Sequence, residues 1–373
     1  MKKVICIILM CLLICSYTVF AAPEIDCRSA ILVEASTGKT LFEHNPHEAL
    51  PPASVTKIMT MLLTMEAIDG GNLSLDDIVT ASENAKSYGG STIFLDAGEQ
   101  MSVNDLLKGI AVASGNDACV AIAEHISGSE SSFVEMMNNR ARELGMNDTN
   151  FENCNGLDTD GHVTSAYDIA LMSRELLKHE KIFDYTTIWT DTLRDGKFNL
   201  ANTNKLIRFY NGANGLKTGS TSIAGSCISA TAKRDGLQLI AVVLNAPNSS
   251  KRFESAKSML DWGFANYTLV RPVETTEITG EVKVAKGLKE FVTPKPKEDF
   301  EVLIDKTLQN SVTGEVELVE GVEAPVSKGD EIGKVVFYAN GEKLGECPLV
   351  AAEDVPRKTF SQIYLDILKK WLF

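Results

Sequence analysis

Strand signals at both ends of a long helix-rich stretch constrain this fold more than any other feature of the chain. Near its start, Ala30-Ile31-Leu32-Val33-Glu34 and Thr40-Leu41-Phe42-Glu43 alternate around Ser36-Thr37-Gly38-Lys39, which reads as a hairpin turn. Far downstream, Ser226-Cys227-Ile228-Ser229-Ala230-Thr231-Ala232 and Leu237-Gln238-Leu239-Ile240-Ala241-Val242-Val243-Leu244 flank a second turn, Arg234-Asp235-Gly236. Each pair must bury an apolar face. One antiparallel sheet assembled from both ends and flanked by the intervening helices would do so, which predicts an α+β fold of the α/β sandwich type. Among the helices, Ser102-Val103-Asn104-Asp105 reads as a capping box opening residues 106–110. Tyr167 to Leu177 is amphipathic. Ile58-Met59-Thr60-Met61-Leu62-Leu63-Thr64-Met65 is apolar nearly all round, as expected of a helix at a domain centre.

After Arg271-Pro272 the texture changes to short alternating segments punctuated by Gly, Pro, Asn and Asp, such as Ile332-Gly333-Lys334-Val335-Val336-Phe337-Tyr338. This predicts a small all-β domain over residues 273–355, with no catalytic cluster of its own. Residues 356–373 differ again. Apolar residues at 360, 363, 364, 367, 368, 371 and 372 form a helical stripe, and Arg357, Lys358, Lys369, Lys370 and Trp371 supply basic flanks and an interfacial aromatic. A terminal helix docked on the β domain would show the same periodicity; the flanks favour a helix lying in a membrane surface.

Met1-Lys2-Lys3, the apolar run from Val4 to Phe20 and Ala21-Ala22 have the parts of a secretory signal, with cleavage expected after Ala21 and an uncleaved anchor as the alternative. The remainder, residues 22–267 and the β domain, is long enough for a large core. The formal charge is −14, and losing Lys2 and Lys3 with the leader makes the chain more acidic still. With no basic stripe to offset this, nucleic acid is excluded as a partner. Five cysteines lie beyond the leader: Cys27, Cys119, Cys154, Cys227 and Cys347. They form no CxxC or Cys/His cluster, so no metal site is expected, and their apolar neighbours favour buried free thiols over a disulfide framework.

The chemistry-bearing pattern is Ser54-Val55-Thr56-Lys57, at the predicted first turn of the central helix. Positions i and i+3 share a face, so the Lys57 amine can lie beside the Ser54 hydroxyl, and the positive helix N-terminus favours a neutral lysine there. A neutral amine can accept the serine proton and an ammonium cannot, so a buried, charge-crowded site is needed to activate the pair. The pattern alone is common, as Ser36-Thr37-Gly38-Lys39 shows. Two further segments follow in order. Ser114-Gly115-Asn116 lies at a junction between apolar runs. Lys217-Thr218-Gly219 precedes the second hairpin; on a strand Lys217 and Gly219 share one face, and Gly219 would permit close approach of a ligand backbone.

Taken together, Ser54-x-x-Lys57, Ser114-Gly115-Asn116 and Lys217-Thr218-Gly219 resemble the motif set of the low-molecular-mass penicillin-binding proteins that are serine-type D-alanyl-D-alanine carboxypeptidases. The stretch from Asn155-Gly156-Leu157-Asp158 to His162-Val163-Thr164-Ser165, and Arg252-Phe253-Glu254, are similar to the same family. The resemblance implies that Ser54 is the nucleophile, Lys57 its general base and Ser114 a proton relay to the leaving group. It implies that Asn116 positions the Lys57 amine and the substrate amide, and that the N–H groups of Ser54 and Ser220 form the oxyanion hole. Lys217, Thr218 and Arg252 would bind the substrate carboxylate, next to Gly219. No metal or organic cofactor is implied. The implied substrate is the peptidoglycan pentapeptide ending in D-Ala-D-Ala, with β-lactams as covalent inhibitors. The implied location is the outer face of the bacterial cytoplasmic membrane. Two alternatives stand beside it: a β-lactamase, against which no Glu-x-x-Leu-Asn segment lies between Ser114 and Lys217, and a non-catalytic penicillin-recognising scaffold.

Overall fold

The computed structural model describes residues 22–372; the leader expected over residues 1–21 lies outside them. The chain parts into two compact units between Phe264 and Ala265.

In the first unit, β1 (Ser29–Glu34), β2 (Thr40–His44), β3 (Ala213–Thr221), β4 (Gly225–Arg234) and β5 (Leu237–Ala246) form one antiparallel sheet in the order β2-β1-β5-β4-β3. The two predicted hairpins are present and join: β1 runs along β5, with Ile31 opposite Val242 and Leu32 opposite Ala241. Turn and strand are locked at Glu34, whose buried carboxylate accepts hydrogen bonds from Ser36 and Thr37. That is why Ser36-Thr37-Gly38-Lys39 forms a turn. β3 ends the sheet, and its outer edge has no strand partner among the described residues.

The helices that position the site are α1 (Lys57–Asp69), α2 (Val103–Ala113), α3 (Asn116–Ser127), α4 (Glu130–Glu143), α5 (Ala166–Leu176) and α6 (Ser249–Asn266). Helix α1 is buried continuously from Lys57 to Met65, so the residues apolar all round do sit at the domain centre. The Ser102 hydroxyl accepts the Asp105 N–H at 3.1 Å and caps α2 as predicted, and Ser165 does the same for α5. One expectation changes: Ser54 stands in a 3₁₀ turn, Ala53–Thr56, and Lys57 opens the α-helix. The five cysteines beyond the leader are free, and Cys119, Cys154, Cys227 and Cys347 are buried. Burial pushes the Cys119 thiol up to about 12, so it packs as a small apolar group.

The second unit is rich in short strands. The strands Pro294–Pro296, Glu342–Ala351, Glu331–Ala339 and Val312–Leu318 make a four-stranded sheet in that order, beside a three-stranded one. Phe337 stacks on Phe300 with ring centroids 5.0 Å apart. The helix Phe360–Leu372 follows, and Phe360, Tyr364 and Ile367 of the predicted stripe are exposed. Among the described residues no helix is long and apolar enough to cross a membrane.

Candidate active site

Three segments meet where the motifs predict. The 3₁₀ turn brings Ser54 to the head of α1. The α2–α3 junction brings Ser114, held in the left-handed conformation at φ 64°, and Asn116. Strand β3 supplies Lys217, Thr218, Gly219 and Ser220, of which only Ser220 is exposed. The junction is rigid because the buried Asp117 carboxylate accepts the N–H groups of Ile93 and Leu95, while Asn116 N donates to Ser91 O at 2.7 Å.

Lys57 Nζ lies 3.0 Å from Ser54 Oγ, 2.6 Å from Asn116 Oδ1 and 2.6 Å from the carbonyl oxygen of Asn155. The Asn116 amide is oriented unambiguously, since its Nδ2 donates to Gly89 O at 2.7 Å. Asn116 Oδ1 and Asn155 O accept only. An ammonium would donate to all three oxygens, whereas the neutral amine, with two N–H groups and one lone pair, gives both protons to those two acceptors and turns its lone pair to the Ser54 hydroxyl. Burial of Lys57, which is fully enclosed, pushes its pKa below the ordinary lysine value. The dominant cause is desolvation, the burial that activation of the pair requires.

Lys217 is equally enclosed, and its Nζ donates to Thr218 O at 2.9 Å. Burial lowers its pKa well below the ordinary lysine value, and a proton on Lys57 or the charge of Arg252 pushes the same way. Of the two depressed lysines, Lys57 is the one whose Nζ lies within hydrogen-bonding distance of Ser54 Oγ. Lys217 has one carbonyl partner and accepts a proton readily once an anion arrives beside it. Arg252 is buried, with Nη1 donating to Gly219 O at 3.0 Å and Cys227 O at 3.3 Å and Nη2 donating to Ser249 Oγ at 3.0 Å. It therefore braces β3 as well as adding positive charge. The Thr218 hydroxyl lies 2.7 Å from that of Thr203. Ser114 is buried, and its hydroxyl makes no hydrogen bond to Lys57 among the described residues.

Two glycines make the crowding possible. A Cβ on Gly219 would stand 2.7 Å from Ser54 N and 3.0 Å from Pro52 O; a Cβ on Gly156 would stand 1.9 Å from Ala53 O. The close approach expected at Gly219 is thus to the chain's own 52–54 backbone. Gly156 also adopts φ +90°, which favours glycine.

The residues that escaped a role in the sequence reading lie on the 150–163 loop. Asn155 acts through its backbone carbonyl, which no side-chain pattern can reveal. Asn153 Oδ1 fixes that carbonyl by accepting the N–H groups of Asn155 and Gly156, and the Thr60 hydroxyl anchors the loop by donating to Cys154 O at 2.5 Å. His162 is buried, with Nδ1 accepting the Glu152 N–H at 3.0 Å and Nε2 lying 2.8 Å from Thr56 Oγ1. Its signal in the sequence was its place in the family-like stretch, which gave it no role.

A Ser–Lys pair at the head of a central helix, faced by a buried lysine on the outer strand of an antiparallel sheet, defines a serine acyl-transfer protein. The D-alanyl-D-alanine carboxypeptidase family model matches residues 17–248, and that of the penicillin-binding protein 5 C-terminal domain matches residues 267–357. The chain belongs to the D-alanyl-D-alanine carboxypeptidase family. It is 45% identical to DacF of Bacillus subtilis over 350 residues, covering 93% of this chain and 90% of that one. It is 31% identical to DacA of Escherichia coli, covering 93% and 88%. The crystal structure of penicillin-binding protein 5 from Haemophilus influenzae superposes with a TM-score of 0.75 at 33% identity, over 90% of this chain and 99% of that one. The carboxypeptidase resemblance and the α+β class read from the sequence are both borne out.

Two consequences are measurable. Gly219→Ala forces Pro52–Ser54 away from β3, and a displacement of this size typically costs about 100-fold in rate; the rate of covalent penicillin uptake by the purified variant reads this loss. Burial also holds the His162 pKa down at about 4, against 6.5 in an open environment, with Glu152 and Asp158 opposing the shift and Lys57 assisting it. Between these values the unfolded chain binds the extra proton, so stability falls as pH drops from 6.5 towards 4, by about 3 kcal/mol for this group. Chemical denaturation of wild type and His162→Gln across that window should show a shallower pH slope for the variant.

Proposed function

We propose that this chain removes the terminal D-alanine from peptidoglycan pentapeptide stems through a Ser54 acyl-enzyme, limiting cross-linking of the wall, and that β-lactams acylate the same serine. The observation that carries this is the enclosure of Lys57 beside Ser54: its buried Nζ lies 3.0 Å from Ser54 Oγ and 2.6 Å from each of Asn116 Oδ1 and Asn155 O, so the neutral amine can give both N–H groups to those two oxygens and its lone pair to the Ser54 hydroxyl. Lys57 accepts the proton as Ser54 Oγ attacks the carbonyl between the two D-alanines. The N–H groups of Ser54 and Ser220 receive the oxyanion, where loss of one such donor typically costs about 10²–10³ in rate. The proton then passes by way of Ser114 to the leaving D-alanine nitrogen, and water cleaves the acyl-enzyme.

Lys217, Thr218 and Arg252 bind the terminal carboxylate of the substrate, and Asn116 orients its amide. The arriving anion compensates the two depressed cations, Lys217 and Arg252, the latter held at about 10 by burial. Because Nη1 of Arg252 is occupied by backbone carbonyls, its part is mainly charge, with Lys217 and the Thr218 hydroxyl making the direct bonds. The open edge of β3 suits an extended peptide laid beside it as a further strand. A crystal structure of penicillin-binding protein D2 from Listeria monocytogenes in the ampicillin-bound form, 32% identical with a TM-score of 0.59, supports the β-lactam reading.

The export reading rests on the leader pattern. Attachment to the outer face of the cytoplasmic membrane rests on the exposed stripe of the helix Phe360–Leu372 and on the basic and aromatic residues in its sequence. No metal or organic cofactor enters this scheme.

Incubation with a pentapeptide muropeptide should release D-alanine, and penicillin should block the release. Ser54→Ala should lose release and penicillin labelling while keeping its thermal transition; a labelled variant would remove Ser54 as nucleophile. Many turnovers of penicillin without a lasting adduct would make the protein a β-lactamase instead. Removing residues 356–373 should move the protein from the membrane pellet to the supernatant of fractionated cells with soluble-peptide hydrolysis unchanged; a truncated chain still in the pellet would transfer the anchoring role to the N-terminal segment.

A further inference from the structure

The peptide bond between Ala53 and Ser54 is held from three sides. Gly156 and Gly219 close on it, as the clashes of a Cβ at either position show. Its carbonyl oxygen accepts the Thr56 hydroxyl at 2.9 Å. Thr56 Oγ1 in turn lies 2.8 Å from His162 Nε2, and His162 Nδ1 accepts the N–H of Glu152 at 3.0 Å. Every proton in this chain has a forced direction. The Glu152 amide can only donate, so Nδ1 is the acceptor and the neutral ring carries its proton on Nε2. That proton goes to Thr56 Oγ1, and the hydroxyl gives its own to Ala53 O. Ala53 meanwhile holds φ at 50°, a left-handed conformation that is unfavourable for a residue with a Cβ and persists only where the surroundings impose it.

A peptide unit is planar and trans, so fixing its carbonyl oxygen fixes the N–H on the opposite side. Here that N–H belongs to Ser54. We propose that Thr56 and His162 are positioning residues for acyl transfer: through Ala53 O they aim the Ser54 N–H at the oxyanion. The inference rests on the reading of Ser54 as nucleophile and its own N–H as an oxyanion donor. Both side chains are buried, and neither bonds to the Ser54 hydroxyl or to Lys57 Nζ among the described residues. They act on charge that exists only in the transition state, so their loss lowers the rate of acylation and leaves ground-state binding alone. A purely structural role, stitching the 150–163 loop to α1, would instead lower stability without that selective effect.

Stopped-flow acylation by a fluorescent penicillin separates the two, since it yields a dissociation constant for the non-covalent complex and a rate constant for the covalent step. Thr56→Val keeps the shape and removes the hydroxyl. It should lower the acylation rate constant about tenfold or more while the dissociation constant stays within about twofold, a smaller loss than deleting a donor outright. Thr56→Ser, which keeps the hydroxyl, should recover to within about threefold of wild type. Should Thr56→Val lose its cooperative melting transition, His162→Gln decides by the same split, because it disturbs the relay from its far end. The proposal is overturned by a folded Thr56→Val with the wild-type acylation rate constant, by Thr56→Ser as slow as Thr56→Val, by a defect confined to the dissociation constant, or, where His162→Gln decides, by a wild-type rate constant in that variant. A wild-type chain that takes up no penicillin overturns the nucleophile reading as well, whereas wild type and Thr56→Val acylating equally overturns the relay alone.

Discussion

Enclosing the amine of Lys57 without a carboxylate beside it is the constraint on which the rest of the site depends. Burying a charged ammonium costs several kcal/mol even after the surroundings relax, and among the described residues no carboxylate bonds to Nζ to offset it. The protein meets this cost by favouring the neutral amine and then matching that form atom by atom: Asn116 Oδ1 and Asn155 O take the protons, and Ser54 Oγ faces the lone pair. Each match needs its own support. Asn116 is oriented by Gly89 O and by the Asp117-braced loop; Asn155 O is presented by Asn153 and by the Thr60 bond to Cys154 O.

The same crowding explains the glycines and the second lysine. With Lys57 pulled into the core, the 52–54 backbone is pressed between the 150–163 loop and β3, where only hydrogen atoms at positions 156 and 219 leave room. Lys217 then lies close enough to Lys57 for their charges to oppose each other, and Arg252 adds to the field. The proposed carboxylate end of the site therefore concentrates positive charge. That makes it receptive to an anion and disfavours two protonated lysines at once.

Much of this architecture was legible before any coordinates. The two hairpins, the all-apolar stretch of α1, the Ser102 cap and the β texture after Pro272 follow from local periodicity and turn chemistry, and all are present. Ser54, Lys57, Asn116 and Lys217 were legible as motifs because their side-chain types and order carry the pattern. Asn155 was not, because it works through a backbone carbonyl. Thr56 and His162 were not, because a hydroxyl and an imidazole more than one hundred residues apart join only when the 150–163 loop folds onto the head of α1. Gly219 was legible as a point of close approach, yet what approaches is the chain itself.

The amino-acid order thus determined the fold class, the family and the identity of the reactive pair, since these rest on short-range patterns that each segment carries alone. It could not determine what encloses Lys57. The need for a buried site was legible, but the two acceptors at its amine are contributed by segments far from it in the sequence. Nor could it decide where the Arg252 guanidinium points, since the carbonyls of Gly219 and Cys227 that hold it come from neighbouring strands. Desolvation and hydrogen-bond matching are properties of an enclosed volume, and only the tertiary structure encloses it.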